Sequence, residues 1–364
     1  MLRRILAVKL ADMGDALLCT PALRALRETY PHARLDVLVT PHTAPLISHM
    51  GLADRVISFP KHDYDDPRWL WQPRRWWPLA RLYARLRRAG YDAVALFHHL
   101  STGYGALKWR LLVAATAAPW VAGLDDGRGR TWLTCPVEDQ GFGKRHEVEY
   151  ALAVAEALGA NVPDTSLTLP PYADEARRVA RLLGDGEHPY VVIHAGSGGY
   201  SRARRWEPER FAAVADALVE RLEVQVVIVG TEADDALAVE QMMRHPACNL
   251  QGRTELPDLV AVLRRSRLFL GADSGVMHLA AAVGVPVVAI FGPSNHRAWA
   301  PWTPPERVRI VRLGIPCSPC SYIGTRVGSR EGCPQRVCMA DLMPEPVIEA
   351  VLDLWGEVTH DPPV

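Results

Sequence analysis

Twice in this sequence a strand-length apolar run breaks at a turn of small residues and gives way to apolar positions at helical spacing. In the first half, residues 2–10 read as a buried strand and 11–15 as the turn. Residues 16–30 follow as a helix, with Leu17, Leu18, Leu23, Ala25 and Leu26 recurring on one side. Residues 35–39, 55–59 and 92–97 read as further strands, with a short helix over 45–50. A Pro-bearing stretch at 165–172 reads as a linker, and a second series starts behind it. It runs helix 173–183, strand 190–195, glycine loop 196–201, helix 208–222, strand 224–229, helix 232–244, short strand 249–252, helix 256–266 and strand 268–270. Such alternation builds a parallel, doubly wound sheet, because each crossover needs a helix to bring the chain back to the same edge. At 364 residues the chain exceeds a usual single core. The expected fold is therefore α/β, with two Rossmann-like domains facing across a central cleft.

The last of these strands runs into Gly271, Ala272, Asp273, Ser274 and Gly275, then into a short Ala-rich helix and the apolar run 285–291. Unpartnered N–H groups at a helix start carry the positive end of the dipole, which suits a phosphate. The same residues suit a plain N-cap, with Asp273 or Ser274 accepting from the first amides. Asp15 stands just past the tip of the first strand, where open α/β sheets bind ligands. Taken alone, it is equally a partner for the dipole of the helix behind it. Gly196, Gly198 and Gly199 lack the G-x-G-x-x-G spacing and no P-loop is present, which speaks against NAD. These glycines still allow close backbone approach to a phosphate, which Arg202, Arg204 and Arg205 would neutralise.

Lys plus Arg and Asp plus Glu both number 41, so the formal net charge is zero and no nucleic-acid partner is expected. Lys9 and Asp12 cut the N-terminal apolar run too short for a signal peptide or a membrane span. A cytoplasmic location with reduced thiols follows as an expectation. Residues 68–88 hold Arg68, Arg74, Arg75, Arg81, Arg85, Arg87 and Arg88 among Trp69, Trp71, Trp76 and Trp77, with no acidic residue between Asp66 and Asp92. Leu79, Leu82, Tyr83 and Leu86 would share one helical face and leave the arginines largely on the other. That composition suits an anionic membrane surface, and it equally suits a solvated helix whose Trp residues pack on the domain.

Four stretches in order resemble glycosyltransferase family 9, the heptosyltransferases of the lipopolysaccharide inner core. Met13-Gly14-Asp15 with Pro21-Ala22-Leu23 is similar to the N-terminal signature of that family. His194-Ala195-Gly196-Ser197, followed by Arg204-Arg205-Trp206, resembles its second-domain loop, although many members have Lys where Arg204 stands. Asp273-Ser274-Gly275-Val276-Met277-His278-Leu279-Ala280-Ala281 resembles its Asp-[Ser/Thr]-Gly-x-x-His stretch, continued by Phe291-Gly292-Pro293-Ser294. The resemblance implies the GT-B fold, an ADP-sugar donor, transfer with inversion, and no cofactor required for catalysis. It implies that Asp15 takes the acceptor proton and that Gly14, His98 and Arg145 bind the acceptor. Gly196, Ser197, Arg204, Glu232, Asp234, Asp273, Ser274, Gly275 and His278 would bind the nucleotide sugar. Within that set Asp273 is expected to organise the loop, and His278 either faces the cleft or packs.

On the same template, residues 1–168 form an acceptor-binding half and 169–340 a nucleotide-sugar-binding half, while 341–364 form a helix that crosses back to the first. The implied acceptor is a lipid-linked or core oligosaccharide, with the protein peripheral at the inner leaflet of the inner membrane. A protein-directed transferase of the family and a non-catalytic nucleotide-binding module stay open. The module has no reason to keep Asp15 together with Arg204 and the Asp273 loop. Asp63-Tyr64-Asp65 matches the D-x-D metal pattern of another transferase class but reads as a solvated loop. Finally, Cys317-x2-Cys320 and Cys333-x4-Cys338, within a loop over 317–338, have spacing that suits a tetrahedral structural zinc; disulfides or free thiols are the alternatives. Cys19, Cys135 and Cys248 read as isolated and buried.

Overall fold

The computed structural model describes residues 2–184, 188–198 and 201–358. They fall into two compact units, one holding the chain up to Pro170 with Gly324–Arg326, the other Pro171–Ile323 and the chain from Val327. In unit 1, β1 (Arg4–Lys9), β2 (Arg34–Val39), β3 (Arg55–Ser58), β4 (Ala93–Leu96), β5 (Trp120–Asp125) and β6 (Cys135–Glu138) pair in parallel in the order β3-β2-β1-β4-β5-β6. Unit 2 repeats the pattern. Its strands are β7 (Tyr190–His194), β8 (Gln225–Val229), β9 (Cys248–Asn249), β10 (Leu268–Ala272), β11 (Val287–Ile290) and β12 (Val308–Val311). They lie in the order β12-β11-β10-β7-β8-β9, again in parallel. This is the doubly wound order, in which the chain moves outward from its first strand and then returns to lay the fourth on the other side. The reversal falls between β1 and β4 and between β7 and β10, where departing loops diverge and leave room for a ligand.

Strands covered on both faces have to be apolar on both. Every residue of β4, β10 and β11 is buried. The core of unit 1 joins Leu6, Val8, Val94 and Leu96 to Leu82, Leu86 and Trp109 from its helices. In unit 2, Ile193, Ile228, Leu270 and Ile290 pack around Trp206 and Phe211. The helix Pro344–Val358 lays Val347, Val351 and Leu354 into that same core. It belongs to unit 2.

Several elements depart from the periodicity. The helix expected over 16–30 is two helices, Met13–Leu17 and Thr20–Thr29. Pro21 has no N–H for the Leu17 carbonyl, and the Thr20 hydroxyl donates to that oxygen instead at 2.7 Å. Asp15 consequently sits in the first turn of its own short helix and not in the turn before it. The helix expected over 232–244 shrinks to Ala236–Met242, because the Asp234 carboxylate accepts from the Thr231 N–H and hydroxyl and holds that segment as a loop. Unforeseen were β5, β6, β12 and the helix Gly103–Thr116. In β6, Pro136 lies on a sheet edge, where a missing N–H removes no ladder bond.

Thr20 is fully buried, and its hydroxyl also accepts from the Thr168 N–H at 2.9 Å. Thr20→Val keeps the shape and strips both partners, at a cost of about 1–3 kcal/mol for each group left unsatisfied. Scanning calorimetry should show a clearly lower melting temperature; an unchanged one would mean that the hydroxyl does not hold the helix break.

Candidate active site

At the β1–β4 end of unit 1, Lys9 closes β1 and is almost wholly buried. Its Nζ lies 3.9 Å from Oδ1 of Asp15, whose side chain is 32% exposed. Burial works against the Lys9 charge, but Cys19, Asp15 and Glu147 more than offset it and leave the ammonium above its ordinary pKa. Burial also lifts the Cys19 thiol to about 12. Asp15 is thus a partly wet carboxylate beside a fixed cation, in a helical first turn where the dipole favours negative charge. Such a group can accept a proton from a hydroxyl that reaches it.

Behind this pair, His99 places Nδ1 2.8 Å from Asp139 and Nε2 3.0 Å from Glu147, both buried carboxylates. Burial disfavours its charge, yet Glu147 and Asp139 raise its pKa to about 9. His98 is the opposite case. Burial, then Lys9 and other cations, hold it well below 6.5, and its Nε2 accepts from the Leu10 N–H at 2.8 Å while the ring stacks on Trp109. His98 and the buried Gly14 therefore shape the chain leaving β1. Arg145, half-buried on the turn before the helix Glu147–Glu156, makes no ion pair among the described residues and keeps its charge available.

At the β7–β10 end of unit 2, His194 closes β7 and is buried. After β10, Asp273 and Ser274 turn the chain into the helix Gly275–Ala282. Ser274 is its N-cap, accepting from the Met277 N–H at 3.4 Å, and its Oγ lies 3.1 Å from His194 Nδ1. On the other side His194 Nε2 is 3.6 Å from Asp234. Burial would raise the Asp234 carboxyl, but His194 and the two Thr231 donors hold it well below the usual carboxylate range. Arg205 approaches Asp234 at 3.5 Å, Asp235 at 3.1 Å and the Ser197 hydroxyl at 3.3 Å. Beside this chain Arg204 donates to Asp273 at 3.0 Å, which makes Asp273 the anchor of that guanidinium. A Cβ on Gly196 would fall 2.1 Å from Asp234 Oδ1, so no side chain fits there.

With Met277 bound to Ser274, the N–H groups of Gly275 and Val276 remain the orphan donors of the helix start. Those amides and Arg204 form a place for an anion. His278 and Asp234 lie in the interior, whereas Glu232 is exposed. It lines a cavity of about 520 Å³ with Leu237, Glu240, Asn249, Gln251 and Arg253, past the ends of β8 and β9. Gly199 and Tyr200 of the glycine loop lie outside the described residues.

Residues 79–329 match the model of glycosyltransferase family 9 (heptosyltransferase). The chain belongs to glycosyltransferase family 9. Lipopolysaccharide heptosyltransferase 3 of Escherichia coli K12 is 30% identical to it over 301 residues, 80% of this chain and 83% of that one. A family 9 glycosyl transferase from Veillonella parvula shares the fold at a TM-score of 0.72 and 22% identity, covering 98% of this chain and 97% of that one. The E. coli ADP-heptose lps heptosyltransferase II does so at 0.70 and 21%, covering 98% and 99%. A family 9 member is a transferase, and its fold is GT-B in class.

Lys9, His99, Glu147 and His194 complete the two clusters without being expected as site residues, and Arg205, expected beside a phosphate, turns to Asp234 and Asp235. Lys9 and His194 carried a readable signal. Each closes a run of buried, uncharged strand residues, where a polar group is costly unless partnered. In the Asp63-Tyr64-Asp65 stretch the expected solvated loop is a short helical turn. Tyr64 packs into the core, Asp63 pairs with Arg75 at 3.6 Å and Asp65 with Lys108 at 2.6 Å. Of the cysteines, Cys317 and Cys333 are exposed, Cys320 half-buried and Cys338 buried. Among the described residues no group of three or more His, Cys, Asp or Glu is arranged to hold a metal ion. Burial, then the neighbouring thiols, raise both Cys320 and Cys338. Cys19 is buried as expected; Cys135 and Cys248 are only half-buried.

His99 makes stability depend on pH. Its folded pKa, about 9, lies above the ordinary 6.5, so its contribution is full below pH 6.5 and is lost as pH rises through about 9. The melting temperature should fall over that interval, and His99→Gln should flatten the fall; an equally steep fall in the variant would assign it to other groups.

Proposed function

We propose that this chain transfers a heptose from ADP-heptose to a hydroxyl of a lipopolysaccharide-core acceptor, with inversion at the anomeric carbon. The reading rests on one pairing of features. At the first-strand end of one doubly wound unit stands a partly exposed carboxylate, Asp15; at the matching end of the other stands a helix start flanked by Arg204. The names of the E. coli relatives support the sugar and the acceptor.

In the reaction, Asp15 accepts the hydroxyl proton as the acceptor oxygen attacks the face of the sugar opposite the diphosphate. The bond from the anomeric carbon to the diphosphate oxygen breaks, and the charge left on ADP meets the amides of Gly275 and Val276 and the Arg204 guanidinium. These groups supply positive charge without a metal. Lys9 fixes Asp15, and the chain from Ser274 through His194 and Asp234 to Arg205 holds the phosphate loop. The cavity at Glu232 suits ribose hydroxyls, with the carboxylate as acceptor.

Asp15→Asn should lower transfer about 10²–10⁴-fold while calorimetry shows ADP binding unchanged, and ADP should raise the melting temperature more than UDP or GDP. Undiminished turnover removes Asp15 from its role, and an equal response to UDP removes the ADP donor.

For Cys317, Cys320, Cys333 and Cys338 we propose a structural zinc that draws the thiols together, on the ground of their C-x2-C and C-x4-C spacing. Protein purified without chelator should carry one zinc per chain by elemental analysis. A metal-free result leaves the thiols as a loop feature.

A further inference from the structure

Within unit 1 the segment 68–88 resolves into two short helical turns, Pro67–Trp71 and Pro73–Arg75, and the helix Trp76–Ala89. Leu82 and Leu86 are buried, with Trp69, Leu79 and Tyr83 packed beside them, so the inner face expected from the spacing is the one used. The remaining aromatic residues do not follow it inward. Trp71 is 87% exposed, Trp77 74%, Trp76 53% and Leu70 49%. Packing of the Trp residues on the domain therefore holds for Trp69 alone. The neighbouring helix Gly103–Thr116, in contact with Trp76–Ala89, exposes Leu107 and Leu111 one turn apart.

This outward set is held in place. Trp69 Nε1 donates to the Tyr104 hydroxyl at 2.9 Å, the Tyr64 hydroxyl donates to the Arg75 carbonyl at 2.9 Å, and Trp76 Nε1 donates to the Leu70 carbonyl at 3.1 Å. Around it lie cations with nothing to balance them. Arg68 pairs with Asp66 and Arg75 with Asp63, but Arg74, Arg81, Arg87 and Arg88 are exposed and make no ion pair among the described residues.

We propose that this face seats unit 1 on an anionic lipid surface, with Trp71, Trp76 and Trp77 entering the headgroup region and Arg74, Arg81 and Arg88 on lipid phosphates. Indole rings favour the boundary between hydrocarbon and water, and guanidinium groups pair with phosphate oxygens. A basic helix with aromatic residues that lies in the interface plane is the form such contacts take. A nucleic acid would use the rings and the cations but would leave Leu70, Leu107 and Leu111 wet, which favours lipid. The inference concerns where the protein sits and stands apart from the transfer reaction assigned above.

Flotation of the full chain with vesicles of phosphatidylcholine and phosphatidylglycerol, against phosphatidylcholine alone, tests it without any transfer assay. The protein should float with the anionic vesicles and be released by salt. The pairs Trp71→Ser with Trp77→Ser, and Arg81→Glu with Arg88→Glu, should each weaken binding about ten-fold or more. Melting temperatures equal to the parent show that the variants are folded, as expected for side chains this exposed. The proposal is overturned if the parent stays in the buffer fraction, or if both variants float as it does. It is also overturned if sedimentation shows the parent self-associating through this face in a way that the variants abolish.

Discussion

A parallel sheet wrapped by helices on both faces has no wet side, so polar chemistry can enter only where its strands end. Right-handed crossovers then bring the amino termini of the returning helices to that same edge. Strand tips, orphan amides and positive dipole ends are gathered there by topology alone. In unit 1 the edge carries Lys9 and Asp15; in unit 2 it carries His194, Ser274 and the start of Gly275–Ala282.

Groups so close to a core have to be partnered, since an isolated buried charge costs several kcal/mol. Both clusters obey this. His99 lies between Asp139 and Glu147, and His194 between Ser274 and Asp234, which Arg205 approaches in turn. Gly196 has no side chain because the Asp234 carboxylate occupies that space. Asp15 differs in keeping a third of its surface in water, the opening that its proposed role as a base requires. The outer face of Trp76–Ala89 follows another rule, with large apolar side chains and unpaired guanidinium groups facing solvent together.

Much of this is legible in the sequence. Long uncharged runs such as 190–195 and 285–291 announce buried strands, and the Asp15, Arg204 and Ser274–Gly275 stretches stood out by their resemblance to a family. Other features were hidden for physical reasons. Helical spacing from Leu17 to Leu26 continues across Pro21 although the backbone cannot, so two helices read as one. The edge strand β6 is short and carries a proline. Asp234 fits a helical pattern, and only its bonds to Thr231 show that it closes a loop.

By itself the sequence determined the α/β class and the doubling of the fold, because periodicity and local turn chemistry are properties of neighbours along the chain; the residues proposed as base and phosphate ligand are marked out by resemblance to a family. Tertiary structure decided which of those residues keep their polar groups for a ligand and which spend them on each other. Asp273 anchors Arg204, His98 serves Leu10, and Asp234 serves His194 and Arg205. Those partners stand far apart in sequence or on different strands, and no spacing rule reaches across a sheet order that only folding sets.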